Sequence, residues 1–345
     1  MVEHRTLTAA ERTAPDHRAR ALTERADRVT RAQRFRPGRW RFLHGRRPHG
    51  AAPERGRSGP AGGALQWSQV MTTDIEIRRD VLYGGGPDGN LTVDLYLPTG
   101  GGPYPAVICL HGGAWRAGTK LVYRAWGPWL ARAGYAVMSV DYRLATPDSP
   151  SWPGVLADVR TALAWLTAQA PALGVDVGRI AAMGDSAGAH LAALLAIDDA
   201  VLGRVRVVVG VYGVYDLAAW WADSGGVRQD DPARDLIGGT PPERPEAYAA
   251  ASPLVQVRRL AKQGAGLDTA WFIIWGETDE LVSPAQSQTL VAMLRDLQVP
   301  VESAAVADYG HFWFTVQEEH PGRDVTEEPN ASLAPRILRF LQAHG

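Results

Sequence analysis

Five residues constrain this chain more than any others: Gly184-Asp185-Ser186-Ala187-Gly188. Before them runs Arg179–Met183, short and mostly apolar, which reads as a strand. After them runs Ala189–Ile197, long and rich in helix formers. A Gly-x-Ser-x-Gly between a strand and a helix is a turn so tight that only small flanking residues avoid collision. It lifts the serine oxygen to the top of a sheet, at the start of a helix whose dipole favours negative charge. Taken alone, the pentapeptide in a chain with 37 glycines is a weak signal. Its weight comes from the residues downstream of it and their order along the chain.

A serine hydroxyl is a poor nucleophile until a base takes its proton, and the base is usually a histidine oriented by a carboxylate. Downstream, Trp271–Gly276 has the pattern of a buried strand and runs into Glu277-Thr278-Asp279-Glu280. Catalytic groups of open α/β sheets gather at such strand ends, and the residues alone leave the three carboxylates as alternatives. Val299–Val306 is a further strand candidate, and after it come Asp308-Tyr309-Gly310-His311. His311 is the expected base. His190 lies one turn into the helix after Ser186 and reads as a core residue, while His320 and His344 have no strand end beside them. A tetrahedral intermediate also needs preset N–H donors. One is expected from Ala187, the other from His111-Gly112-Gly113-Ala114-Trp115, the loop after the strand Ala106–Leu110. In that loop His111 reads as structural. Trp115 reads as pocket-lining, with a purely structural role nearly as well supported.

Together, His-Gly-Gly-Ala-Trp, Asp141-Tyr142-Arg143-Leu144, Gly-Asp-Ser-Ala-Gly-Ala-His-Leu and Gly-Glu-Thr-Asp-Glu-Leu-Val resemble α/β-hydrolase esterases of the hormone-sensitive-lipase-like branch. The nearer resemblance is to the subgroup of feruloyl and acetyl-xylan esterases and kynurenine formamidases, from about residue 75 to the end. The resemblance implies an α/β fold, a mostly parallel, doubly wound eight-stranded sheet flanked by helices. It implies Ser186, Asp279 and His311 as a catalytic triad, with the amides of Gly112, Gly113 and Ala187 as oxyanion donors. The activity it implies is that of a serine carboxylesterase acting on short-chain or small aryl or acetyl esters through an acyl-enzyme. Ala114 departs from the third glycine common in the lipase-like branch. Asp185 stands where formamidases often carry histidine, which favours ester over formamide. An arylformamidase with the same triad is the alternative, and a non-catalytic binding protein on a hydrolase fold is the second. Asp141 and Asp158 match recurring family positions and read as structural.

Charge divides the chain. Residues 1–70 hold 15 arginines, no lysine and six acids, a net of +9; residues 71–345 hold 21 basic and 31 acidic residues, a net of −10. The first 70 residues read as a disordered Arg-rich extension. Met71, just before the first strand, is a plausible true start, with the upstream text an over-extended reading of a high-GC gene. A basic docking arm is the competing reading. Overall neutrality gives no argument for nucleic acid, no apolar run reaches the length of a membrane span, and no metal or cofactor motif appears. A small-molecule ester is the expected partner and the cytoplasm the expected location. The lone cysteine, Cys109, sits inside an apolar strand and is expected to be inert.

Along the body, Ile75–Tyr83 and Leu91–Leu97 alternate like half-buried strands around a glycine-rich turn. A helix is expected over Val122–Ala133, a strand over Tyr135–Val140, a helix over Pro153–Ala170 and a central strand over Val205–Val211. Residues 216–270 read as a long, lid-like insertion rich in proline, whose Trp220 and Trp221 fit equally an aromatic substrate wall or anchors that pin an irregular segment to the domain.

Overall fold

The computed structural model describes residues 74–86, 89–223, 231–316 and 322–345; the expected extension over 1–70 lies outside them. Eight strands form one sheet in the order β1-β2-β4-β3-β5-β6-β7-β8. They are β1 Ile75–Gly86, β2 Gly89–Pro98, β3 Tyr104–Leu110, β4 Ala136–Val140, β5 Val175–Asp185, β6 Val207–Val211, β7 Ala270–Gly276 and β8 Val301–Val306. β2 runs antiparallel to both of its neighbours, and every pairing from β4 to β8 is parallel. This is the α/β-hydrolase arrangement.

Residues 136–140, 207–211 and 270–276 are buried throughout, because helices cover both faces of the sheet. Strand periodicity sorts each run between two cores. Trp271, Ile273 and Trp275 of β7 face one core, with helices α2 Gly154–Leu173, α3 Ala187–Ala196 and α8 Pro284–Asp296. Phe272 and Ile274 face the other, with α1 Trp126–Arg132 and α9 Asn330–His344. Free Cys109 is buried in that second core.

Two expectations are corrected. The single helix over Val122–Ala133 is instead a 3₁₀ turn, Lys120–Tyr123, capped by the Thr119 hydroxyl, and then the short α1. Pro128 has no N–H to donate back to Arg124, so the helical bond that would join the 3₁₀ turn to α1 is missing. Among the described residues of 216–270, most are helical rather than irregular. They carry α4 Leu217–Asp223, α5 Pro232–Ile237, α6 Pro245–Ala250 and α7 Pro253–Lys262. Pro232, Pro245 and Pro253 stand at the first positions of three of these helices, where the missing N–H is unneeded.

The antiparallel end of the sheet is held by a buried cation. Lys120 Nζ lies 2.7 Å from Asp141 Oδ2, 2.9 Å from Asp80 Oδ1 and 3.9 Å from Asp94 Oδ1, and donates to the Thr92 hydroxyl. Asp141 therefore ties β2, β4 and the 3₁₀ turn together, and Asp158 binds Arg143 through two guanidinium nitrogens and its backbone N–H. Both aspartates make the structural contacts expected of them. Replacing Lys120 by Met leaves the half-buried Asp141 without its cation, while the buried Asp94 keeps its 2.7 Å pair with Arg79. The expected cost is about 1–3 kcal/mol of stability, read as a lower urea midpoint.

Candidate active site

The turn after β5 is built on the absence of two side chains. A Cβ on Gly188 would collide with the carbonyl of Leu110 in β3, and one on Gly184 with the backbone of Gly188. With neither present, α3 starts immediately above the sheet. Ser186 sits at the apex with φ 52° and ψ −118°, and its N–H is held by Val211 O at 2.9 Å. Such a backbone costs on the order of 1–3 kcal/mol and persists only where its surroundings impose it. Ala114, Trp115, Tyr212 and Phe312 also have positive φ, and all come after the C-terminal ends of parallel strands on this side of the sheet.

The structure brings the three expected side chains into one hydrogen-bonded chain. His311 Nε2 lies 3.0 Å from Ser186 Oγ, and His311 Nδ1 lies 2.6 Å from Asp279 Oδ2. The second Asp279 oxygen accepts the N–H groups of Leu281 and Val282, each at 2.9 Å. A carboxylate fixed on both oxygens sets the imidazole: Nδ1 carries the proton, leaving Nε2 free to accept from Ser186. The geometry separates Asp279 from Glu277 and Glu280, which are exposed while Asp279 is buried. The histidine loop is anchored by Trp126 Nε1 to Phe314 O at 2.9 Å, and by buried Asn330 Nδ2 to Phe314 O and Arg323 O, both at 3.0 Å.

The loop after β3 is fixed at several points. The His111 ring stacks on Tyr142 and its Nδ1 donates to Gly112 O; the Tyr142 hydroxyl donates to His111 O at 2.6 Å. Arg116 and Ala117 N–H groups turn back onto Gly113 O. Of the three expected oxyanion donors, Gly112 is corrected. Its N–H is engaged by Asp185 Oδ1 at 3.2 Å. Among the described residues, the Gly113 and Ala187 N–H groups donate to no protein acceptor. Ala187 is the first residue of α3, where an N–H has no partner within its own helix.

The three tryptophans have separate fates. Trp115 is 1% exposed, and its Nε1 donates to His190 Nδ1 at 3.2 Å. His190 Nε2 donates in turn to Ala251 O, 2.7 Å away in the segment between α6 and α7. His190 is thus a core residue, as expected, and a link from the loop after β3 to the inserted helices. Trp220 packs edge-on against Trp115, with centroids 5.9 Å apart, and donates to Leu281 O in the acid loop. Trp221, next on α4, is partly exposed.

Three contributors carried no distinctive sequence signal. Tyr212, after β6, lays its ring 4.3 Å from the His311 ring, and its hydroxyl accepts the Phe314 N–H. Gln286 of α8 pins the start of the insertion, accepting the Tyr215 and Asp216 N–H groups. Asn330 is the third. Each is an ordinary residue whose role depends on which loop the fold brings to it. Among the described residues, no group of three or more His, Cys, Asp or Glu could hold a metal, and no helix is long and apolar enough to cross a membrane.

With the geometry in view, comparison with known proteins places the chain. The sequence profile of BD-FAE matches residues 93–294, more than half of the chain. The chain belongs to the BD-FAE family. Esterase LipC of Mycobacterium tuberculosis is 33% identical over 261 residues, 71% of this chain and 60% of LipC. A probable isoprenylcysteine alpha-carbonyl methylesterase of Arabidopsis thaliana, ICMEL2, is 27% identical over 70% of this chain and 58% of its own length. The chain thus spans about three-fifths of the curated relatives it matches. Among solved structures, a truncated carbohydrate esterase from gut microbiota aligns with TM-score 0.63 and 23% identity, over 83% of this chain and 100% of that one. That level of identity speaks for the fold. The BD-FAE match runs from β2 through most of α8, spanning the loop after β3, Ser186 and Asp279 and ending before His311.

Burial lowers the pKa of His190 to about 4. The unfolded chain takes up this proton near pH 6.5 and the folded chain does not, so the residue weakens the fold as pH falls through that window. In wild type against His190→Gln, the stability difference should move in favour of wild type by up to about 3 kcal/mol between pH 4 and pH 7 in urea melts.

Proposed function

We propose that the chain is a serine hydrolase that cleaves carboxylic esters through an acyl-enzyme on Ser186. The observation that carries this reading is the continuous chain Ser186 Oγ–His311–Asp279, with spacings of 3.0 and 2.6 Å, beside two unengaged backbone N–H groups. Each element has a task. His311 Nε2 takes the hydroxyl proton as Ser186 Oγ attacks the carbonyl carbon, and Asp279 stabilises the resulting imidazolium. Gly113 and Ala187 N–H groups receive the oxyanion, worth roughly 3–4 kcal/mol per donor in comparable sites. His311 then returns its proton to the departing alkoxide. Water, activated by the same imidazole, releases the acid and restores the hydroxyl.

The names of relatives support the ester class: LipC is an esterase, and a structure of Thermogutta terrifontis esterase 2, 20% identical, is described as phosphonylated by sarin. Within that class we read the site as one for a small acyl or aryl group. Trp115 is held in the core by His190 and backs the partly exposed Trp220, so the ring offered beside the loop after β3 does not yield readily. No observation favours a formamide over an ester, and Asp185 at the position before the serine keeps the ester reading first.

Two outcomes are expected with p-nitrophenyl esters. The full chain hydrolyses the acetate, and Ser186→Ala loses at least about a thousandfold in kcat, as removal of a triad nucleophile does. Undiminished turnover by that variant would exclude the reading. Trp220→Ala opens the wall and shifts the preferred chain length upward across an acetate-to-decanoate series; an unchanged profile would remove Trp220 from the pocket.

A further inference from the structure

The residue before the nucleophile is a carboxylate that the triad does not use. Asp185, at the end of β5, is 1% exposed. Three donors from three segments converge on it. Gly112 N–H of the oxyanion loop reaches Oδ1 at 3.2 Å, the Tyr123 hydroxyl of the 3₁₀ turn reaches Oδ1 at 3.1 Å, and the Thr315 hydroxyl, four residues past His311, reaches Oδ2 at 3.2 Å. The loop is pressed hard against it: a Cβ on Gly112 would lie 2.6 Å from Asp185 Oδ2. The titratable groups around it are Cys109 on β3, Tyr123, Tyr142 after β4, Tyr212 after β6 and His311 after β8. Burial holds the thiol and the phenols protonated and neutral. Only His311 becomes a cation, and it does so during the reaction.

We propose that Asp185 is a positioning residue. It fixes the oxyanion loop and the histidine loop to the nucleophile turn, and its charge favours the imidazolium that forms on His311. The proposal rests on the ester-cleaving reading of Ser186. An ionised carboxylate suits this role because both oxygens accept, so donors from opposite sides can be held at once. Asn would present one oxygen and, on the other side, an NH₂ facing another donor. Burial raises the Asp185 carboxyl to about 6, and the bonds from Tyr123, Thr315 and Gly112 work against that rise. Protonation turns one acceptor into a donor and releases a loop. The raised value also has a stability sign. Between about pH 4 and pH 6 the folded chain keeps a proton that the unfolded chain has lost, so ionised Asp185 weakens the fold as pH rises. A group retained only for stability would not behave so, whereas a group retained for catalysis can.

The test compares wild type, Asp185→Asn, Thr315→Val and Ser186→Ala, each as the full chain. It measures kcat and KM for p-nitrophenyl acetate from pH 4.5 to 9, and urea midpoints at pH 5 and pH 8. Asp185→Asn is expected to lose roughly 10- to 100-fold in kcat, with KM within about threefold. Its acid limb should move to lower pH and flatten, because a second titrating group is gone. Its urea midpoint, relative to wild type, should be higher at pH 8 than at pH 5. Thr315→Val removes one donor that keeps the carboxylate ionised. It should lose less kcat and move the acid limb the opposite way, to higher pH. That opposite shift decides the matter even if Asp185→Asn fails to fold. Wild-type kcat and an unchanged acid limb in Asp185→Asn, with Ser186→Ala inactive, would overturn the proposal and leave the ester-cleaving reading intact. An unmoved limb in Thr315→Val would equally overturn it. Wild-type activity in Ser186→Ala would overturn the underlying reading, and the proposal with it.

Discussion

The site depends on one close approach: the backbone of α3 at Gly188 resting on the Leu110 carbonyl of β3, with no side chain between. This contact brings the nucleophile turn and the oxyanion loop together, because His111 and Gly112 continue directly from Leu110. It also sets the strained backbone of Ser186, which the Ser186 N–H bond to Val211 O holds in place from β6. Strain of this kind persists only in a rigid frame. The frame here is the run of parallel pairings from β4 to β8, with the central strands covered on both faces.

Around that contact the loops are fixed to one another as well as to the sheet. Asp185 joins the oxyanion loop to the histidine loop, His190 joins Trp115 to the inserted helices, and Trp220 joins those helices to the acid loop. Five segments distant in sequence therefore share a few polar bonds, all but the Trp220–Leu281 bond buried. In a low-dielectric setting such bonds hold geometry firmly and are costly to break singly. On the proposed ester-cleaving reading, such a site would have its donors and base in position before substrate arrives, which is how electrostatic stabilisation of an oxyanion becomes effective.

Much of this was legible in the sequence, for identifiable reasons. The glycines of the elbow announce a steric requirement, and strand runs such as Trp271–Gly276 announce burial on both faces. The order of serine, acid and histidine is then set by the topology. Two kinds of feature were not legible. Helix starts at Pro232 and Pro245 looked like loop, since proline at a first helical position and proline in a turn read alike without neighbours. The engagement of the Gly112 N–H depends on where Asp185 points, a fact of tertiary structure. The same holds for Tyr212, Gln286 and Asn330, whose partners are far away in the chain. Choosing Asp279 over Glu277 and Glu280 needed the family resemblance; the geometry reaches the same residue independently, through burial and its bond to His311.

The most direct measurement of the central claim is the mass of the covalent intermediate. The full chain is mixed with a slowly released aryl ester or an organophosphonate, quenched in acid, digested and analysed by mass spectrometry. The account predicts one adduct per chain, on the peptide carrying Ser186, and none when Asp279→Asn is treated for the same short time. An adduct on another residue, or rapid ester turnover with Ser186 unmodified at every time point, would contradict it.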